Sequence, residues 1–480
     1  MMRILLSVCC IFALTTGGSA VSAQETQTER LAARDVLEKL ASLEQSLDVP
    51  SMVAELSAAN PERERVAARA KALMESELLT LSDDITRHPE IGFEEHRSVK
   101  KLIAYLEKYD FNVEVGVAGL ETAFVARFTG NNGPPNLGVI VEYDALRGTK
   151  GAFHGDQHSA QGPVGLAAAV AMAEYLAKSG SPGSVVVFGA PGEEMMPPNA
   201  KTVMFDAGVF EGMDILVRSH ATSSTRRPAP GFGTCCMNID GVKYIFSGAP
   251  AHQLAAWNGR NALEAVIHLF ENIDSVRSNI RPEARIQGII LEGGAAPNVV
   301  PDRTVADFYV RYPDEVYLRQ VRRFVDDAAR AAALSTQTKV KIDYYGKTRD
   351  GISVATLSEL AFAYMKGYGA TNVIAAPGKP QGYEETGSVS SAIPGIGFTA
   401  QSSTAPNHTY VMEADALAEV GHHGFLVDAQ AMAALLYDFA THAEYRAAVK
   451  HEFDGIKVLF GDYKAALEKV YVVPKVSEPK

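Results

Sequence analysis

The sequence predicts an α/β protein whose mixed, mostly parallel sheet is interrupted by a smaller inserted α+β domain. Up to about residue 236, short apolar segments alternate with helical segments, a pattern typical of βα units around a parallel sheet. The pattern then changes to half-polar strands, and it returns past Gly351. We therefore expect a main domain over residues 24–236 and 350–445, an insert over 237–349 and a helical tail over 446–480.

The first part of the main domain combines charged helices with buried strands. Residues 25–79 and 99–107 carry apolar side chains at helical spacing. Short apolar segments at 123–128, 137–143 and 185–189 predict strands, and the Ala- and Leu-rich segment 164–178 predicts a strong helix between the last two.

The insert has the predicted order strand, helix, strand, strand, helix, strand. Alternating residues over 237–246 predict a half-solvated strand. Amphipathic helices are expected over 261–276 and 317–332, and further strands over 285–291, 305–311 and 339–345. This order is typical of a small α+β unit.

The composition excludes several classes of protein. The chain has 480 residues, 47% of them hydrophobic, which excludes a disordered chain. With 57 acidic and 45 basic side chains its formal charge is −12, and no block of Lys or Arg appears. We therefore expect no nucleic-acid partner and no attraction to anionic lipid.

The N-terminus resembles a secretory signal peptide. Arg3 precedes an apolar run over residues 4–15, which is too short to span a membrane, and Val21-Ser22-Ala23 forms a small-residue cleavage site. The alternative is a buried N-terminal helix. We expect cleavage after residue 23, a periplasmic or secreted protein, and no membrane contact afterwards. The mature chain then keeps Cys235 and Cys236, which we expect to remain thiols because adjacent cysteines rarely pair.

Imidazole and carboxylate side chains follow several of the predicted strands. The carboxyl ends of parallel strands share one edge of a sheet, so these side chains are expected to meet there. Such groups are suitable ligands for a hard or borderline divalent cation. The candidates are Glu142, Asp144, His154, Asp156, His158, Glu193, Glu194, His220 and His408.

The adjacent pair Glu193-Glu194 suggests a division of roles. Two neighbouring acids in a cleft repel each other unless a cation compensates at least one. One carboxylate could bind a metal ion while the other accepts a proton from water. A Glu-Glu pair taken alone is usually a solvated surface, and a lone His is usually structural. The segment from His154 to His158 is denser, with three possible ligands in five residues.

The same residues lie in motifs that resemble those of M20-type metallopeptidases, in the branch with aminobenzoyl-glutamate hydrolases, aminoacylases and auxin-conjugate hydrolases. The resemblance covers about residues 75–440, and its pieces are specific only as a set. The matching stretches are RHPEIGFEE at 87–95, EYDAL at 142–146, GAPGEE at 189–194, AH at 251–252, GGAAPNVVPD at 293–302, YVR at 309–311, GSVS at 387–390 and NHT at 407–409.

The resemblance implies a two-metal site and a homodimer formed through the insert, which acts as a lid. Glu193 resembles the general base, and Glu194, His220 and His408 resemble metal ligands. The branch normally carries a Cys-Gly-His triplet, whereas this chain has His154-Gly155-Asp156. We expect Asp156 to bridge the ions and His154 to bind one of them.

His158 and Asp144 stay open as ligands or as supports of ligands, and His158 also as a substrate contact. Replacing a thiolate by a carboxylate makes the site harder, so we expect zinc, with manganese or cobalt as alternatives.

The resemblance also assigns residues that would contact the substrate. His252 resembles a lid histidine that stabilises an oxyanion, a contribution of about 2.7–4 kcal/mol for comparable donors. Asn298, Arg311, Gly387 and Ser388 resemble substrate-binding groups, and the guanidinium fork of Arg311 suits a carboxylate. The alternative for Arg311 is an ordinary salt bridge at a strand end.

Together these features predict a metal-dependent amidohydrolase that cleaves a small N-acyl or aryl-amide conjugate of an amino acid. A dipeptidase or carboxypeptidase of the same fold is the alternative. A third hypothesis is a metal-depleted binding protein, because the metal-binding triplet is altered.

The signal-peptide hypothesis has a direct test. We expect the exported mature protein to begin near Gln24, because the small residues before it suit signal peptidase. N-terminal sequencing measures this, and a cytosolic protein that begins at Met1 would contradict the hypothesis.

Overall fold

The structure is a computed structural model that describes residues 27–195 and 199–471. The predicted signal peptide, residues 1–23, lies outside these ranges. Across the described ranges, no helix combines the length and apolar character needed to cross a membrane.

Strands and helices are numbered in chain order. The strands are β1 Asn112–Val115, β2 Phe124–Thr129, β3 Asn131–Val141, β4 Leu146–Gly148, β5 Gly151–Phe153, β6 Pro182–Gly189, β7 Ile215–Ser219, β8 Gly231–Gly233, β9 Asn238–Ser247, β10 Arg285–Glu292, β11 Arg303–Tyr312, β12 Lys339–Thr348, β13 Gly351–Ser353 and β14 Gly395–Phe398. The α-helices are α1 Gln27–Leu47, α2 Val49–Leu56, α3 Pro61–Leu73, α4 Leu79–Thr86, α5 His96–Glu107, α6 His158–Ser179, α7 Ala200–Asp206, α8 Ala262–Val276, α9 Glu315–Thr336, α10 Ala355–Gly367, α11 Tyr410–Ala416, α12 Glu419–Thr441 and α13 Ala443–Val470.

The main sheet has six strands in the order β1-β2-β6-β3-β7-β14. The pairs β6–β3, β3–β7 and β7–β14 are parallel, and the pairs β1–β2 and β2–β6 are antiparallel. This arrangement confirms the predicted mixed, mostly parallel sheet. Its central strands are buried on both faces, which explains their continuous Val-rich runs.

Helix α6 lies against β3 and is buried along most of its length. A methyl group at Gly165 would overlap the Val141 side chain, so the helix approaches the strand as closely as glycine allows. The helix begins at His158, earlier than the predicted start at residue 164. Gln157 precedes it in the left-handed region with φ 52°. The close approach places His158 beside the residues that follow β3.

The insert forms a four-stranded antiparallel sheet in the order β10-β11-β9-β12. Its elements follow the predicted sequence of β9, α8, β10, β11, α9 and β12. Helices α8 and α9 pack together, and their apolar side chains share a core with Tyr244, Phe246 and Phe308. Strand β10 lies at one edge of this sheet.

Helix α13 joins the two cores. Val449, Phe453 and Ile456 are buried in the core of the main domain, whereas Leu467 near the other end is buried in the core of the insert. The helix begins at Ala443 and runs unbroken to Val470. The predicted start of the helical tail, residue 446, therefore lies within its first turn.

The chain crosses between the main sheet and the insert twice, and the two crossings are bonded to each other. Asn238 accepts a hydrogen bond from the backbone N–H of Asp350 at 3.1 Å and donates its amide to the Asp350 carboxylate at 3.1 Å. Arg349 donates to the Asp240 carboxylate at 2.6 Å. These bonds fix the start of β9 against the end of β12.

Candidate active site

The candidate site lies at the carboxyl edge of the main sheet. Glu142 and Asp144 follow β3, Glu193 follows β6, and His220 follows β7. The backbone N–H of His220 donates to Phe398 at the end of β14 at 2.8 Å, and the chain then leads to the loop of His408. The structure therefore brings the strand-end residues together as predicted for parallel strands.

Two groups of side chains here have the geometry to hold a cation. In each group the possible ligand atoms lie within 4.8 Å of one another. The first group is Glu142, His158 and His220, and the second is Asp156, Glu194 and His408. A third set, which consists of His158, Glu193 and Glu194, overlaps both and shows that they adjoin.

In the first group Glu142 and His158 are buried and His220 is half-buried, and the buried pair has two unpartnered polar atoms that face each other. His158 Nδ1 lies 2.9 Å from the Asp144 carboxylate, so its Nε2 is directed toward Glu142 Oε2 at 3.7 Å. Among the described residues, neither Nε2 nor Oε2 has a hydrogen-bond partner. Buried polar atoms without partners are costly, and a cation between them would satisfy both. The donor set therefore fits a metal ion.

The second group is more exposed to solvent than the first. His408 Nε2 is 3.1 Å from Asp156 and 3.7 Å from Glu194, and the His408 side chain is 59% exposed. His408 adopts φ 64°, which is uncommon for a residue other than glycine. Its backbone N–H donates to Gly155 at 2.8 Å, and the Asn407 amide donates to Asp156. These contacts hold the imidazole against the two carboxylates.

The acids of the site repel one another in this buried position. Burial, and then the Glu385 carboxylate, raises the pKa of Glu193 well above its usual value. Burial raises the pKa of Glu194 to about 7. Cations bound beside these carboxylates would favour their ionised form.

The backbone of the Glu193-Glu194 turn is held by two further carboxylates. Asp144 accepts from the Glu194 N–H at 2.9 Å, and Glu95 accepts from the Gly192 N–H at 2.8 Å. Sequence reasoning gave no role to Glu95, although it lies in a motif that carried the resemblance. Asp144 uses both oxygens to orient neighbours, one on His158 and one on Glu194. These two contacts indicate that Asp144 orients His158 and the Glu193-Glu194 turn.

A buried ion-pair network supports Glu142 from the side opposite His158. Arg218 contacts Glu142 at 2.7 Å and Glu385 at 3.3 Å, and Lys201 pairs with both acids. Although burial opposes ionisation, Arg218 and Lys201 hold the pKa of Glu142 well below its usual value. Sequence reasoning gave no role to Lys201, Arg218 or Glu385. No local motif links these residues, since they lie far apart in the chain.

His154 lies apart from both groups. It is 1% exposed, and neither ring nitrogen has a hydrogen-bond partner among the described residues. Burial lowers its pKa to about 3, so the ring is neutral at physiological pH. We expected His154 and Asp156 as metal ligands. The structure places Asp156 in the second group and His158 in the first, and His154 in neither. Gln157 is left-handed, α6 starts at His158, and the His158 Nε2 atom lies 3.7 Å from Glu142 Oε2.

The predicted lid residues lie on the insert. His252 is exposed, and its Nδ1 accepts from the Leu254 N–H at 3.1 Å. The Asn298 carbonyl accepts from the N–H of Gln253 at 3.0 Å, so Asn298 and His252 adjoin. Arg311 lies over the Tyr309 ring, and no carboxylate pairs with it in the described part of the chain. The alternative of a strand-end salt bridge is therefore not observed there.

Gly387 and Ser388 lie on a tightly held loop of the main domain. Glu384 accepts hydrogen bonds from both Thr386 and Ser390 on that loop. Gly387 has φ 67°, and a methyl group there would overlap the Arg349 carbonyl. Ser388 is buried and lies 3.4 Å from Thr202 on α7.

Comparisons with known proteins agree with this architecture. Residues 237–337 match the model of the peptidase dimerisation domain. The mouse (Mus musculus) protein Xaa-Arg dipeptidase is 31% identical over 332 residues, which cover 66% of this chain and 74% of that protein. A subunit of p-aminobenzoyl-glutamate hydrolase from Escherichia coli is 31% identical over 54% of this chain and 56% of that protein.

A solved structure shows the same fold. The Bacillus subtilis protein YXEP, described as a dinuclear metal binding peptidase from the M20 family, superposes with a TM-score of 0.52 at 18% identity. The superposition covers 76% of this chain and 99% of that one. With the mouse relative and the dimerisation domain, these findings confirm the resemblance seen in the motifs. The chain belongs to the M20 family of peptidases and amidohydrolases and is a hydrolase.

Proposed function

We propose that this hydrolase cleaves the amide bond of a small N-acyl or aryl-amide conjugate of an amino acid and uses two divalent ions, with zinc preferred over manganese or cobalt. The two adjoining ligand groups, with their unpartnered buried atoms, carry this proposal. The relatives named above act on amide bonds of small amino-acid compounds, according to their names.

We assign one ion to His158 and His220, with Glu142 facing them, and the other to Glu194 and His408. Asp156 is the candidate shared ligand, because its carboxylate interacts electrostatically with the imidazoles of both groups. When bound, divalent ions polarise an amide carbonyl and make water more acidic. Nitrogen and oxygen ligands without thiolate favour zinc, manganese or cobalt.

Glu193 is the proposed general base. It lies beside His158 and Glu194 and is buried, so it reaches the region between the two groups. A carboxylate whose proton affinity is increased by burial accepts a proton from water more readily than an exposed one. Glu193 then returns this proton to the leaving amine as the amide bond breaks.

The lid supplies the remaining contacts. Arg311 has no carboxylate partner in the described residues and is suited to bind the terminal carboxylate of the substrate. The exposed His252 is proposed to stabilise the developing oxyanion. A dipeptidase activity is the second candidate, since the mouse relative carries that name and the same Arg311 contact would serve a dipeptide. The complete ligand groups argue against a metal-depleted binding protein.

We further propose a homodimer formed through the insert. Edge strand β10 exposes Ile289 at 61% and Leu291 at 49%. Trp257 on the same domain is 77% exposed. An unpaired edge strand with exposed apolar side chains readily pairs with another chain. Within such a dimer, the exposed His252 could act in the site of the other protomer.

The base assignment predicts that Glu193→Gln keeps its metal but loses activity by about two to four orders of magnitude. Turnover is measured on N-acyl amino acids and dipeptides with zinc, manganese and cobalt, and metal content is measured in parallel. Glu194→Gln is the control, since it should lose metal as well. If Glu193→Gln retained more than a small part of the activity, another group would be the base.

The ligand assignment predicts that His158→Ala loses about one ion per chain, whereas His154→Ala keeps the metal content of the parent. Both changes remove a buried imidazole, but only His158 belongs to a ligand group. Elemental analysis of purified, metal-loaded proteins measures the difference. The opposite pattern, with loss of metal only in His154→Ala, would restore the expectation from the sequence.

The dimer proposal predicts that Ile289→Lys converts the dimer into monomers, because it places a charge on the β10 edge. Leu334→Lys is the matched control, since Leu334 is 82% exposed on α9, a helix that contacts β12 at the edge of the sheet opposite β10. Sedimentation equilibrium measures both variants. A parent that is already monomeric, or an Ile289→Lys variant that remains dimeric, would rule out this interface.

A further inference from the structure

Two adjacent thiols lie at the first crossing from the main domain to the insert. Cys235 and Cys236 connect β8 to β9, both are exposed, and their Sγ atoms are 2.6 Å apart. The hydrolase chemistry proposed above uses neither residue. Their side chains are turned toward each other, although neighbouring side chains on an extended strand point to opposite faces.

A cavity gives small molecules access to Cys236. It has a volume of about 590 Å³ and lies between the insert, the crossing segment and the end of α13. Cys236 lines it together with Met237, Tyr312 and Lys379. Its volume lies within the range of sites that hold small organic molecules. The main-sheet strands that lead to the metal groups do not line it.

The two thiols differ in acidity. The hydrogen bond with Cys235, followed by the positive charge of Arg311, lowers the pKa of Cys236 to about 7. The same hydrogen bond raises the pKa of Cys235. The thiolate is the reactive form of cysteine, so Cys236 is suited to attack and Cys235 to follow.

We propose that Cys235 and Cys236 form a redox-active dithiol that a low-molecular-weight disulfide converts into a reversible ring disulfide. The Cys236 thiolate attacks one sulfur of the small disulfide, forms a mixed disulfide and releases one small thiolate. Cys235 then loses its proton, attacks Cys236 Sγ and expels the second small thiolate. The two cysteines are oxidised by two electrons, and the small disulfide is reduced to two thiols.

The geometry of adjacent residues makes this bond easy to reduce. Neighbouring Cα atoms are about 3.8 Å apart across a trans peptide, whereas disulfide-linked residues usually have Cα atoms about 4.4–6.8 Å apart. Closing the ring therefore strains the segment, and strained disulfides have more oxidising potentials. The pair suits a reversible modification better than a permanent crosslink.

Ring closure would act directly on the junction between the domains. Thr348 donates to the Met237 carbonyl at 3.4 Å, and Asn238 is bonded to Asp350. In the sheet, Ile239 pairs with Arg311. Cys236 lies in the first crossing, next to Met237, which is bonded to the second crossing. A change in its backbone is also only three residues from Ile239, the partner of Arg311.

The test uses the full-length protein, reduced first and then titrated with oxidised glutathione. We expect both thiols to disappear, the mass to fall by two hydrogens, and dithiothreitol to restore both. Peptide mapping should place the bond between Cys235 and Cys236. Hydrogen exchange should change at the two crossings, and the metal content should stay unchanged.

Single variants separate the two steps. Cys235→Ser should stop at a stable glutathione adduct on Cys236, and Cys236→Ser should react more slowly. In Cys235→Ser, adding Arg311→Gln should raise the pKa read from the pH dependence of adduct formation, because a nearby positive charge is removed. The double variant, Cys235→Ser with Cys236→Ser, should show no change of mass.

Three results would overturn the proposal. These are a lasting glutathione adduct on the parent chain, a disulfide between two chains, or two thiols that remain unreacted with excess oxidised glutathione. All of these readouts are independent of amide hydrolysis, so a failure here is distinct from a failure of the proposed activity.

Discussion

The site depends on the two hydrogen bonds made by one buried carboxylate. Asp144 accepts from His158 Nδ1 with one oxygen and from the backbone of Glu194 with the other. The first bond determines which ring nitrogen of His158 faces Glu142, and the second fixes the turn that carries Glu193. The two ligand groups therefore keep their relative position because they share this anchor. Contacts of this kind orient metal-binding side chains and so influence how tightly a metal ion is bound.

Charge balance explains why the surroundings of this anchor are so polar. Lys201 and Arg218 neutralise Glu142 and Glu385, so this network is close to neutral as a set. Glu193 and Glu194 have few compensating cations within the described chain, and burial, followed by neighbouring carboxylates, raises their pKa values. The protein's own Lys201 and Arg218 thus neutralise one set of carboxylates in the cleft, and bound cations would neutralise the others.

The sequence predicts much of this architecture because its signals are local. The alternation of apolar strands and helices predicted the mixed, mostly parallel sheet, and the chemistry of strand-end residues indicated Asp156, Glu193, Glu194, His220 and His408 as candidates. The choice between His154 and His158 was different. It depends on where α6 starts and on the left-handed backbone of Gln157, which the sequence pattern does not specify. The contacts of Glu95 and Lys201 arise only when distant segments meet.

Helix α13 has a consequence for how the molecule unfolds. One end is buried in the core of the main domain and the other in the core of the insert. At about 1.5 Å per residue, its 28 residues span about 42 Å as a single rigid rod. Neither domain can lose its core without releasing part of the same helix. The stabilities of the two domains are therefore coupled through this shared helix.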